Sequence, residues 1–235
     1  MACRWRPSLA WVLMGVRWSH PACKPSVRAV SSSVVKKRSY WQYLRRKILK
    51  PPTPPYNHVC LVGDPILRAQ AAPVEPVQIA SPEVQAVIKK LVRVMRRENC
   101  VALSAPQLGV PLQIFVAEYP EKRCYEYPSS LCTIQQIAPF PLRVFVNPTM
   151  KVLNNQLATF PEGCQSVGPF SACVPRYLAV QVSGLNEAGE QTSWQADGWA
   201  ARIIQHEMDH LRGVLYIDKM DSNTFVNVQW ATVND

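Results

Sequence analysis

The segment Gln205-His206-Glu207-Met208-Asp209-His210-Leu211 constrains this chain more than any other. Residues four apart share one face of an α-helix, so His206 and His210 offer two imidazoles to a single ion, with Glu207 alongside as an acid/base. Ile203, Ile204, Met208 and Leu211 would bury the same element. Asp197 precedes it and Gly213 follows it, so the spacing predicts a helix over 198–212. Two of the four histidines in the chain lie in this motif, which weighs against incidental core or surface histidines. The chain is a candidate metal-dependent hydrolase.

A catalytic ion takes three protein ligands and keeps one position open. Tyr216 stands where the HExxHxxGxxH pattern has its third histidine, and no glutamate follows Glu207. Upstream, Glu162-Gly163-Cys164 offers a thiolate on a glycine-containing turn after a strand-like run, which would complete a Cys/His/His set. Any single one of the eight cysteines is more often a small buried apolar residue.

The net charge of +10 resembles that of a nucleic-acid binder until it is divided by position. Residues 1–63 carry 12 Lys/Arg and no acid, leaving 14 basic and 16 acidic residues from Asp64 onward, or −2. The excess therefore belongs to an Arg- and Ser-containing, acid-free leader, the composition of a mitochondrial transit peptide, expected over 1–39. The short apolar run from Leu9 to Val16 is interrupted by Arg17, unlike a secretory signal, and no run reaches the roughly 18 apolar residues of a membrane span. The cysteines are scattered without CxxC spacing, which fits free thiols in a reducing compartment. A basic, proline-rich linker is expected over 40–56 and one domain over 57–235, so removal of residues 1–56 is expected to leave that domain folded.

Within the domain, Ser81-Pro82-Glu83 predicts a capped helix start, with Val84, Val87, Ile88, Leu91, Val92 and Met95 at helical spacing. Arg93, Arg96 and Arg97 suit its negative end and are assigned no chemistry. QIFVAE and LRVFVN read as strands. KVL and LATF read as a hairpin around Asn154-Asn155, and YLAVQVSGL and QTSWQA as another around Asn186 to Gly189. Grouped strands without βαβ alternation predict an α+β fold, a single domain of antiparallel strands packed around the metal-binding helix.

Three motifs together resemble peptide deformylase, the enzyme that removes the formyl group from N-formylmethionine on new polypeptides. They are Leu103-Ser104-Ala105-Pro106-Gln107, Glu162-Gly163-Cys164-Gln165-Ser166 and the 205–211 segment, in the family's order. Stretches 63–68, 146–148 and 174–176 add to the likeness, which covers roughly residues 57–220, and the leader points to the mitochondrial branch. The resemblance implies one divalent ion on Cys164, His206 and His210, Fe(II) first, with Zn, Co or Ni able to replace it. It implies Glu207 as the proton carrier, with the Gln107 amide and the Gln165 backbone N–H at the developing oxyanion. Glu162 is implied to lie near substrate, Asp209 to pair with Arg176 as support, and Val101, Ala102, Phe160, Trp199 and Ile203 are candidate pocket walls. The implied partners are N-formylmethionyl nascent chains in the mitochondrial matrix, the mitochondrial ribosome, and a second copy as a homodimer, with no specific nucleic acid.

Two departures stand out. Ala102 occupies a position where the family pattern has glycine, and its methyl could narrow the site. Gln165 replaces a leucine common in bacterial members, at a position expected to act through its backbone. An HExxH zinc endopeptidase and a non-enzymatic relative that only binds nascent chains are the rival readings.

Overall fold

The structure is a computed structural model that describes residues 39–41, 44 and 52–233. Apart from Ser39, the expected leader lies outside the described residues, as does most of 40–51. The chain divides into two units, Met1–Pro51 and Pro52–Asp235, and the fold below is that of the second.

A six-stranded antiparallel sheet carries the fold in the order β1 (Ala102–Ser104), β2 (Ile114–Tyr119), β3 (Phe140–Gly163), β4 (Phe170–Leu185), β5 (Gln191–Asp197), with β6 (Val226–Asn227) paired to the start of β4. Helix α1 (Pro82–Arg97) begins where the capping signal lies, the Ser81 hydroxyl accepting from the Val84 N–H. A short α2 (Ser129–Gln135) follows in the β2–β3 connection, α3 (Gly198–Leu211) carries the HEMDH motif, and α4 (Trp230–Val233) ends the described chain.

Side chains alternate between the faces of a strand, and here both faces are covered. Ile114, Val116, Val144 and Val146 pack with Leu103 and the apolar stripe of α1, including Leu91 and Val94. Their neighbours Phe115, Ala117 and Phe145 pack on the opposite face with Ile203, Ile204, Met208 and Leu211 of α3. The sheet thus separates two hydrophobic layers, and α3 is fixed by a face of its own residues against β1, β2, β4 and β5. Burying each large side chain contributes about 1.5–3 kcal/mol, so α3 is a rigid base for chemistry.

The hairpin expected around Asn154-Asn155 is not formed. β3 runs unbroken through these residues and pairs with β4 on both sides of them, from Val152↔Val180 to Leu157↔Tyr177, with register shifts between. A tight hairpin turn needs positive φ at its central residues. Among the described residues, the non-glycine positions with positive φ are Asn99, Gln136 and Asn147, so Asn154 and Asn155 stay extended. Asn154 instead accepts from the Gln156 N–H at 2.9 Å, a local bond that accompanies the bulge. The second expected hairpin is present: β4 and β5 join through Asn186, whose side chain accepts from Ala188 and Glu190, and Gly189 at φ +82°.

The compact unit starts before the expected boundary at 57. The Tyr56 N–H donates to the Leu108 carbonyl at 2.9 Å, and its ring lies where a Cβ on Gly109 would sit, 2.4 Å from the ring's Cε2. Cys60 N–H then donates to the Gln107 carbonyl at 2.8 Å. Residues 56–60 therefore clamp the short helix Ala105–Leu108 that bears Gln107. A chain starting at Pro52 is predicted to melt with the full-length protein. One starting at residue 57 should melt about 2–8 °C lower, the effect of losing a packed ring and one hydrogen bond. Equal melting temperatures for the two truncations, by calorimetry, would show that Tyr56 is outside the fold.

Candidate metal centre

Three separate segments meet at one point. The first is the turn after β1. There Ser104 and Gln107 form a capping box, the Gln107 Oε1 accepting from the Ser104 N–H at 3.0 Å and its hydroxyl at 3.1 Å. With its oxygen so engaged, the buried Gln107 amide turns its NH₂ toward Cys164 Sγ, 3.5 Å away, and Ser166 Oγ, 3.1 Å away.

The second segment is the turn between β3 and β4. Cys164 follows the last residue of β3, and its carbonyl accepts from the Val167 N–H at 2.9 Å, closing the turn that holds the thiol inward. The third is α3, where His206 and His210 share a face and their rings lie 4.9 Å apart. Cys164 Sγ lies 3.2 Å from His210 Nε2, and ligand atoms of Cys164, His206 and His210 all fall within 4.8 Å of one another. Burial opposes ionisation of Cys164, but the imidazoles of His210 and His206 outweigh it and hold the thiol well below its usual range. The thiolate is the form that binds metal.

Glu207 is buried, and burial pushes its carboxyl above the ordinary carboxylate range. Among the described residues its Oε2 has no hydrogen-bond partner. Such a group is costly unless the site supplies a partner. A soft thiolate, two imidazoles and an unpaired carboxylate oxygen form a donor set that fits a divalent cation and the water it activates.

Glu162 is neither exposed nor free. Its carboxylate receives a two-pronged contact from Arg176, Nε and Nη2 both at 2.9 Å, a bond from Arg202 Nη1 at 2.7 Å, and one from His206 Nδ1 at 3.1 Å. Burial works against its charge, but the bonds from Arg176 and His206 prevail and keep the carboxyl far below its usual range. With Nδ1 occupied, His206 is left to present Nε2 to the centre. Glu162 thus orients a candidate ligand with oxygens engaged by protein, while the residue also lies on the wall of the cleft where substrate is expected.

The Asp209–Arg176 pair expected from the motifs is present at 2.5 Å, and Lys219 reaches the other oxygen of Asp209 at 2.6 Å. Arg202 is a further member of the network that no sequence motif marks. It is buried, bonds Glu162 and the carbonyls of Val174 and Ala158, and stacks over Phe160 and Trp199. Its signal was its place one turn before His206 on the same helix face.

A cleft of about 450 Å³ opens onto the centre. Val101, Ala102, Glu162, Trp199 and Ile203 line it together with Gln107, Cys164, Gln165, His206 and Glu207. Phe160 does not; it lies beneath the Arg202 guanidinium, 5.3 Å from its ring centroid. Ala102 sits in regular strand pairing opposite Ala117 and outside the positive-φ residues, so its methyl imposes no backbone strain. The exposed Gln165 side chain donates to the Glu98 carbonyl at 3.3 Å. Tyr216 is buried against this region, its hydroxyl donating to the Phe170 carbonyl at 2.9 Å.

The buried ion network makes two predictions. Arg176→Ala leaves Glu162 and Asp209 without their shared cation and should destabilise the protein by about 3–5 kcal/mol in denaturant unfolding. Glu162→Gln should instead weaken divalent-metal affinity about 10–100-fold in chelator competition. An unchanged affinity would show that His206 needs no such orientation.

The family model for polypeptide deformylase matches residues 56–225. Mitochondrial peptide deformylase of Homo sapiens is 56% identical over the whole of both chains. Peptide deformylase 1A, chloroplastic/mitochondrial, of Arabidopsis thaliana is 45% identical over 71% of this chain and 62% of that one. Among solved structures, class I type b peptide deformylase from Acinetobacter baumannii, bound to Met-Ala-Ser, superposes with TM-score 0.61 at 28% identity, covering 69% of this chain and 96% of that one. The Synechococcus elongatus enzyme in complex with actinonin gives TM-score 0.59 at 30% identity, covering 74% and 83%.

Proposed function

This chain belongs to the peptide deformylase family, and from that membership we propose how its own residues remove the formyl group from N-formylmethionyl nascent chains in the mitochondrion, releasing formate. The observation that carries the reading is the convergence of Cys164, His206 and His210 beside a buried, unpaired Glu207 oxygen at the end of a cleft.

Cys164, His206 and His210 would hold one divalent ion, which when bound supplies a Lewis acid and makes water acidic enough to attack near neutral pH. Iron(II) is the proposed resident, with Zn, Co or Ni as replacements on the same donors. Glu207 accepts the proton as water attacks the formyl carbon, then returns it to the departing methionine amine. Its raised carboxyl pKa, set by burial, suits both halves of that exchange.

The Gln107 NH₂, fixed by the Ser104 bonds, donates to the carbonyl oxygen as negative charge grows on it, and the Gln165 backbone N–H is proposed as a second donor. Val101, Ala102, Trp199 and Ile203 form the apolar walls for the methionine side chain. The Acinetobacter relative is bound to Met-Ala-Ser, which supports a short Met-initiated peptide as the ligand of this chain.

Residues 1–39 are proposed as the transit peptide, 40–56 as a linker that contributes Tyr56 to the fold, and 57–235 as the catalytic domain. The mitochondrial ribosome and a second copy of the chain are its proposed macromolecular partners. No helix among the described residues is long and apolar enough to cross a membrane.

The full-length protein, loaded with Fe(II) anaerobically, is predicted to release formate from formyl-Met-Ala-Ser. Glu207→Gln should lower kcat by about 10²–10⁴-fold while keeping its metal. A metal-loaded wild type that releases no formate would overturn the activity. Retention of metal by Cys164→Ala would favour the endopeptidase reading, which needs a different third ligand.

A further inference from the structure

Most charged side chains lining the cleft are already committed. Glu162 and Arg202 bond each other, His206 bonds Glu162, and Glu207 lies buried at the centre. Arg123 differs: it lines the cleft yet forms no ion pair among the described residues. It comes from the short helix Glu121–Glu126 in the β2–β3 connection, where its backbone N–H donates to the Pro120 carbonyl at 2.9 Å.

The guanidinium is anchored rather than loose. One of its nitrogens donates to the carbonyl of Asn99, and Asn99 itself is held at φ +54° just past the end of α1. An arginine fork offers five N–H donors, so this anchor leaves others for a ligand. A side chain already positioned loses less freedom on binding, and the planar fork matches a carboxylate in a two-pronged contact.

Position in the cleft says which part of a substrate it meets. Cys100, Val101 and Ala102 line the cleft in sequence, leading from the residue after the Arg123 anchor into β1, which the Gln107 turn follows directly. A peptide whose formyl end lies between Gln107 and Glu207 passes Ala102 and Val101 before it reaches Arg123. Burying a lone cation there gains nothing for an apolar chain, whereas an acidic side chain finds a partner.

We propose that Arg123 is a specificity-determining residue that favours formyl-Met chains carrying Asp or Glu within the next few residues after methionine. The inference rests on the deformylase reading of the same cleft. A partly exposed charge pair sets the scale at about fivefold in kcat/KM, shrinking as salt screens it.

The test uses the full-length metal-loaded protein and C-terminally amidated formyl-Met peptides, so that no terminal carboxylate competes. Glu, Gln or Lys is placed in turn at the second, third and fourth residues. Wild type should prefer Glu over Lys about fivefold in at least one position, Arg123→Lys should keep the sign, and Arg123→Glu should reverse it. A merely structural Arg123 would change all peptides alike and leave the Glu/Lys ratio fixed. Formate release with the same ratio in wild type and Arg123→Glu at every position would overturn this inference alone, whereas no release from any peptide would bring down the deformylase reading with it.

Discussion

The Glu162 carboxylate is the point on which the centre depends. It sits near the end of β3, two residues before Cys164, and is gripped by Arg176 from β4, Arg202 from α3 and the ligand-face histidine His206. One buried anion thereby ties together the three elements that deliver the thiolate and the imidazoles. Its burial would be prohibitive without these cations, and their burial without it. The second acid, Asp209, holds the far side of Arg176 and draws in Lys219. The network is better understood as setting geometry than as adding stability, since buried ion pairs seldom exceed apolar packing of the same volume.

Around that network the fold keeps its chemical groups on rigid supports. The alternation of β2 and β3 puts one set of side chains against α1 and the other against α3, so the helix bearing both histidines is buried along its length. Gln107 sits on a single turn capped by Ser104 and clamped from outside by Tyr56 and Cys60. Cys164 is held by its turn at the end of the longest strand pair. Each group approaches from a different element, so none can shift without disturbing packing elsewhere.

What could be read from the residues was local. The cap at Ser81, the periodicity of α1 and the HEMDH stripe depend on neighbours within a few positions, and both helices form where these signals lie. The Cys164, His206 and Gln107 convergence was legible only through the family's three motifs, because spacing along a chain does not say which turns meet in space. The misread segment is instructive: Asn154-Asn155 carries turn-forming residue types, yet a long β4 partner on both sides keeps it extended, a tertiary effect invisible in the local pattern. Arg202 and the engaged state of Glu162 were hidden for the same reason, since a charged residue in a sequence reads as solvent-facing until its buried counter-ions are known. Tyr56 was read with the polyproline linker because its partner, Gly109, lies on a distant turn.

The central claim is that the Cys164 thiolate and the two histidines of α3 hold one metal ion together. It is tested most directly by titrating the full-length, metal-stripped protein with Co(II) and recording its absorption spectrum. Saturation is expected at one ion per chain, with a near-ultraviolet thiolate-to-cobalt charge-transfer band that disappears in Cys164→Ala. Stoichiometric cobalt binding without that band, or with a band that survives the substitution, would contradict it.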